Sequence, residues 1–191
     1  MVAAAAAIAA LGATAASPAS AGWVKAKFSG GPSVKATTTG VTLKRDGIEP
    51  KTCTLFSGAT IGSISGSEVL GLANATVPGW GEPITRFECG GSNKLDLYTS
   101  IVQAEYETVS GQYRLYFWPW PFEESLQAPW SNKYRGAFWY ATFTNGSGAT
   151  PSSFTASEAV IGKEPTSGKK ITMSGTFNLT DNKGGLVTVT P

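Results

Sequence analysis

Histidine is absent from this 191-residue chain and cysteine occurs only twice, as Cys53 and Cys89. The first absence removes the usual general base, the Ser-His-Asp arrangement and most transition-metal sites together. The two cysteines stand too far apart for a CxxC redox or metal pair. Charged residues make up only 15% of the chain, and the net charge of +2 is too small and scattered for a nucleic-acid or anionic-membrane surface. The one long apolar run, Val2 to Ala16, falls short of the roughly 20 strongly apolar residues that a membrane-spanning helix needs. Scarce charge with abundant Gly, Ser and Thr points toward disorder, but six Trp, nine Phe and six Tyr are too much apolar surface for a solvated tail. The chain is expected to fold.

The apolar run is followed by Ser17-Pro18-Ala19-Ser20-Ala21, a helix breaker and an Ala-x-Ala site that a signal peptidase cuts before Gly22. Residues 1–21 therefore read as a bacterial-type signal peptide, and 22–191 as a single exported β domain, large enough to bury a core of its own. No Lys or Arg precedes the run, although a basic segment normally does, so the start codon is expected to lie upstream of Met1. In a secreted, periplasmic or cell-surface chain, an isolated cysteine pair is expected to form a Cys53–Cys89 disulfide.

Period-two alternation broken by Gly, Pro, Asn and Asp dominates the text, which predicts an all-β fold. The expected architecture is a single-domain β-sandwich or β-barrel of roughly eight to eleven strands with at most one short helix. Asp46-Gly47 and Ser110-Gly111 read as hairpin turns, and Asn145-Gly146 as a turn with two positive φ values. Ser33 to Lys44 reads as one long strand. Lys169 to Thr180 and Leu186 to Thr190 read as a terminal hairpin reversed by 181–185, whose free edge offers strand-to-strand self-association. From Asn93 to Glu107 a helical stripe capped by Asn93 competes with a strand. No internal repeat is present.

The densest aromatic segment runs from Phe117 to Trp130, with Phe138-Trp139-Tyr140 beyond it. Prolines 119, 121 and 129 stop strands and hold rings in extended chain, where they can stack on a sugar or grip an apolar ligand. Trp118, Trp120, Phe122, Trp130 and Trp139 are accordingly the candidate ligand-binding residues. The competing reading is that these rings plug a barrel end or cover a sheet edge.

Glu123 and Glu124 are adjacent and would point apart on a strand, which disfavours them as paired catalytic acids. Glu105 and Glu107 share a face if their segment is a strand, as exposed acids commonly do. Asp96, Asp181 and Asn182 offer oxygen atoms to calcium but without a ligand-loop spacing, so no metal and no cofactor is expected. Asn74, Asn145 and Asn178 match the glycosylation pattern and are expected to stay unmodified in a bacterial chain.

Thr42-Leu43-Lys44-Arg45-Asp46-Gly47-Ile48, Cys53-Thr54-Leu55-Phe56-Ser57-Gly58 and Ser174-Gly175-Thr176-Phe177 resemble the layout of small secreted bacterial β proteins of the alkane-oxidation activator type. That resemblance covers about a quarter of the chain and carries over no catalytic residue. It implies a secreted or surface-associated accessory protein that meets apolar substrates. Together these readings lead to the expectation of a non-enzymatic binding protein for an apolar or carbohydrate ligand. A structural envelope or extracellular-matrix protein assembling through β-strands stands second, and a carboxylate-based secreted hydrolase third.

Overall fold

The structure, a computed structural model, describes residues 22–76, 81–91, 93–119, 126–127 and 133–191, with the backbone alone at 99–100, 126–127 and 133–134. The signal-peptide reading of 1–21 lies outside the described residues. Strands run in the order β1 (Trp23–Lys25), β2 (Lys27–Ser29), β3 (Ser33–Thr37), β4 (Val41–Arg45), β5 (Ile48–Leu55), β6 (Ala59–Ser65), β7 (Glu68–Ala73), β8 (Ala75–Thr76) and β9 (Pro83–Glu88). They continue as β10 (Lys94–Leu97), β11 (Thr99–Glu107), β12 (Tyr113–Pro119), β13 (Leu126–Gln127), β14 (Lys133–Gly136), β15 (Trp139–Thr144), β16 (Ser152–Lys163), β17 (Lys170–Thr180) and β18 (Thr188–Thr190). A 3-10 turn, Phe56–Gly58, is the one helical element among the described residues. No helix among them is long and apolar enough to cross a membrane.

Eight strands close an antiparallel β-barrel in the order β11–β12–β15–β16–β17–β3–β6–β7, with β7 returning to β11. The extra strands are not a separate domain. Pairings β16–β14, β14–β13, β13–β10, β10–β9, β9–β5, β5–β4 and β4–β17 complete a second ring through the same two long strands. At 12 and 11 residues, β16 and β17 are about twice the usual strand length, which lets each serve both rings.

Where the chain passes from one ring to the other, its ribbons bend. The segment Ser33 to Lys44, expected to be one strand, is interrupted between β3 and β4, and the 3-10 turn interrupts the facing ribbon between β5 and β6. On β16 the register shifts between Ala156 and Ala159, where Glu158 takes φ 47°, a left-handed value rare for a non-glycine and suited to a bulge. Opposite Ala156 lies Gly175, where an added Cβ would sit 2.8 Å from Val41 Cγ1 and 3.2 Å from the Gly40 carbonyl oxygen. The close crossing of ribbons at this level needs the missing side chain.

Alternation then sorts the rings. Phe143, Phe154 and Phe177 point inward from three neighbouring strands, Phe154 stacks on Phe177 at 4.5 Å, and Phe117 stacks on Trp139 at 3.7 Å. Two apolar cavities among these groups hold about 20 and 10 Å³, room for a single water at most. At these residues the barrel interior is packed.

Cys53 and Cys89 form a disulfide with Cα atoms 4.1 Å apart. The β5–β9 ladder pairs Leu55 with Phe87 and Thr54 with Glu88, and the bridge supplies the next pair in register. Cys53 thus sits inside β5, and Cys89 follows β9. In the same ring, Arg86 on β9 faces Asp96 on β10 and donates to both its carboxylate oxygens, at 2.7 and 2.8 Å. Those hydrogen bonds hold the guanidinium proton more tightly than in a free arginine, against the opposite effect of burial.

One ambiguity is resolved and two expectations are corrected. Between Asn93 and Glu107 the strand alternative is the one formed, as β10 and β11, because Leu95, Leu97, Val102 and Ala104 meet the core while both edges find strand partners. Asn93 donates to the Gly90 carbonyl at 3.0 Å, in a turn rather than a helix cap. The terminal hairpin is not formed: β17 lies between β16 and the β3/β4 ribbon, and β18 pairs with β2, leaving one isolated bridge, Thr180 to Leu186. Finally, Asn145-Gly146 supplies no positive φ, which falls instead at Gly148. The Asn145 amide is used elsewhere, donating to Val189 O at 2.7 Å and accepting from Val189 N at 2.6 Å.

Candidate functional site

The β12–β15 ladder pairs Tyr113 with Phe143, Arg114 with Thr142, Leu115 with Ala141, Tyr116 with Tyr140 and Phe117 with Trp139. Since successive residues alternate between faces, residues 113, 115, 117, 139, 141 and 143 go to the core. Residues 114, 116, 118, 138, 140 and 142 go to the outer surface. Both strands are aromatic on both faces, which is the local peculiarity of this sequence.

On the outer face the rings stack in a diagonal series. Phe138 stacks on Tyr116 at 5.7 Å, and Tyr116 on Tyr140 at 4.7 Å. The Arg114 guanidinium lies 4.0 Å from the Tyr140 ring centroid and 3.9 Å from that of Trp23 on β1, so it is held between two rings. Trp118 closes the other end, edge-on to Tyr116 and Phe138 at 5.3 and 5.5 Å. This is not a buried cluster: Trp23 is 37% exposed, Trp118 38%, Tyr140 47% and Phe138 55%. Glu105 on the adjacent β11 accepts from Arg114 at 2.6 Å, which fixes the guanidinium plane and neutralises it. Next to the series lies an open cleft of about 210 Å³ lined by Trp23, Gln112, Arg114, Tyr140, Thr155 and Ser157, among others.

The sequence candidates separate accordingly. Trp118 stands in the exposed series, whereas Trp139 is 6% exposed and belongs to the core. Trp120, Phe122 and Trp130, like Glu123, Glu124 and the middle of the Pro-rich segment, lie outside the described residues. Tyr116, Phe138, Tyr140, Trp23 and Arg114 were not singled out from the sequence. Alternation does place Arg114, Tyr116 and Trp118 together, but with aromatics on both faces the pattern alone does not say which face is outer.

Five of the remaining polar candidates have defined partners. Glu107 accepts from the backbone N–H groups of Val109 and Ser110 at the β11–β12 turn, and the Ser110 hydroxyl first, then these backbone donors, hold its carboxyl below the usual range. Asp96 is bound to Arg86, and Asp181 accepts from the backbone N–H of Lys183 and of Gly185 at 2.8 and 2.6 Å. Asn74 bonds the backbone of Phe56 and Arg86 with both ends of its amide, as Asn145 does with Val189.

Within the stack, burial pushes the Tyr116 phenol above the ordinary tyrosine range, with the Tyr140 phenol as the second cause. A raised folded value means the neutral phenol is favoured in the folded state. Its contribution is complete below the ordinary tyrosine pKa of about 10 and is lost as pH rises through the folded value. An ultraviolet difference titration is expected to show a late-ionising tyrosine that Tyr116→Phe removes. A wild-type titration with every tyrosine in the ordinary range would contradict the packing described.

Three comparisons with known proteins were made, and no family model, curated protein or solved structure matches the chain.

Proposed function

We propose that this is a non-enzymatic binding protein that works outside the cytoplasm and takes its ligand on the outer aromatic face of β12 and β15. The observation that carries the reading is the outer-face series Phe138, Tyr116, Tyr140, Arg114 and Trp23, on the other side of the ladder from the packed core rings Phe117, Trp139 and Phe154. Exposed contiguous apolar surface of this kind is what ligand and partner sites are made of. Of the four carboxylates considered for hydrolysis, Glu105 is held by Arg114 and Glu107 by a turn, which favours binding over acid–base chemistry. The disulfide supports an oxidising location.

Trp23 and Trp118 are exposed members of the series and serve as built-in reporters. Titration with polysaccharides and with long-chain lipid vesicles is expected to shift tryptophan emission with one of the two, and Trp118→Ala/Phe138→Ala to abolish the shift. The vesicle arm tests the accessory role toward apolar substrates. A folded protein whose emission responds to neither class would sink the proposal. The strand-assembly reading rested on a terminal hairpin that the fold does not form, so it is not taken further.

A further inference from the structure

We infer that the cleft beside Trp23 is a subsite for one ring of a neutral hexopyranose polysaccharide, whose chain continues over the hydroxyl-bearing face of β15, β16 and β17. This rests on the aromatic face being a binding surface and names its ligand.

The cleft, at about 210 Å³, is smaller than the roughly 300–1,000 Å³ of a site for a whole drug-sized molecule, and it is open rather than closed. Such a site fits one ring of a longer ligand. Of its aromatic walls, Tyr140 is stacked between Tyr116 and Arg114 and contributes its rim, while Trp23, with Arg114 over one face, offers the exposed apolar surface against which the C–H face of a pyranose packs. Its polar walls, Gln112, Thr142, Thr155 and Ser157, are all exposed and carry both donors and acceptors, the match for a sugar's hydroxyl groups.

Charge decides between neutral and acidic glycans. The cation at the cleft, Arg114, is already matched by Glu105 at 2.6 Å and covered on two sides by rings. A carboxylate or sulfate on the ligand would have to displace Glu105 and would meet its negative charge. A neutral sugar meets no such opposition.

The direction of the chain follows from the register. Arg114, Thr142, Thr155 and Thr176 stand opposite one another across β12, β15, β16 and β17, and the Thr155 and Thr176 hydroxyls are 2.9 Å apart. The next row reads Thr144, Ser153 and Asn178. On these strands the residues between, Phe143, Phe154 and Phe177, face the core, so the outer surface carries small polar groups at the roughly 4.8 Å strand spacing. The aromatic series ends where this polar surface begins, and the cleft lies at the junction.

Affinity electrophoresis of the full chain in gels containing dextran or a mixed-linkage β-glucan, against gels containing alginate, tests the inference. Retardation by a neutral polymer and none by alginate is expected. Tyr140→Ala should weaken it about tenfold, and Thr155→Val/Ser157→Ala several-fold with an unchanged near-ultraviolet circular dichroism spectrum. Retardation by alginate alone, or neutral retardation indifferent to both variants, overturns the subsite. A response to lipid vesicles alone, or glycan binding lost in Trp118→Ala/Phe138→Ala but kept in the cleft variants, also overturns it while leaving the broader binding surface standing. Silence toward every probe removes both.

Discussion

Asp96→Ala is expected to lower stability by about 3 kcal/mol, near the bottom of the 3–5 kcal/mol range for breaking a buried ion pair. The Asp96 side chain is 7% exposed and that of Arg86 16%, so the stranded guanidinium keeps some access to water, which places the loss at the lower end. The main cost is the uncompensated arginine rather than the lost attraction. The Arg86 backbone is held in place, its N–H and carbonyl both bonded to the Asn74 amide, so only rotation about its side-chain bonds can relieve the stranded charge. If this account is right, Arg86→Met/Asp96→Leu recovers most of the stability, since a well-packed apolar pair needs no desolvation. Urea unfolding of the three proteins decides the matter. A loss below about 1 kcal/mol for the single variant, or no recovery in the double, removes the argument.

Opening the disulfide should have an effect of similar size by a different route. The bridge closes a segment of 36 residues, and loop-closure entropy then gives about 4 kcal/mol at room temperature. For a domain of this size that corresponds to a melting temperature lower by roughly 8–16 °C in Cys53→Ala/Cys89→Ala. Its position sharpens the expectation. The β5–β9 ladder has only two paired positions besides the bridge, so this part of the second ring should lose hydrogen-exchange protection first. Strands β12 and β15, paired along five positions in the barrel, should keep theirs until global unfolding. Equal melting of the oxidised and substituted proteins would contradict the entropic account.

How much of this was legible in the chain depends on the kind of information needed. The β class was readable because strand periodicity is local: alternation over Tyr113 to Trp118 needs no knowledge of partners. The Asp46-Gly47 turn was readable for the same reason, and Gly47 takes φ 79° there. The pairing of Lys169 to Thr180 with the C-terminal strand was misread because adjacency in sequence favours a hairpin. In the fold, β17 is paired along one edge by the 12-residue β16 and along the other by β3 and β4, each longer than the three-residue β18. The Asn93 segment was ambiguous for a related reason, since Leu97, Ile101 and Val102 satisfy a helical stripe as well as a strand until β9 and β12 supply edges.

The candidate site divides in the same way. Trp118 lies on the outer face and Trp139 in the core, a division the sequence could not make, because sequence density marks where aromatics concentrate, whereas exposure depends on which face the rest of the barrel covers. Arg114 could not be recognised as a stacked, neutralised group before Trp23, 91 positions away in the sequence, was brought beside it by the pairing of β1 with β11. By itself the sequence determined that the chain folds as β structure, that its sole cysteine pair is available for one bridge, and that histidine chemistry is excluded, because composition and period-two patterning are local properties. The tertiary structure alone decided that two long strands carry two rings, that Trp139 is core while Tyr116, Phe138 and Tyr140 line the outer face, and that Arg114 lies between two rings. Each of those depends on which distant strands meet, and closure of the barrel settles that.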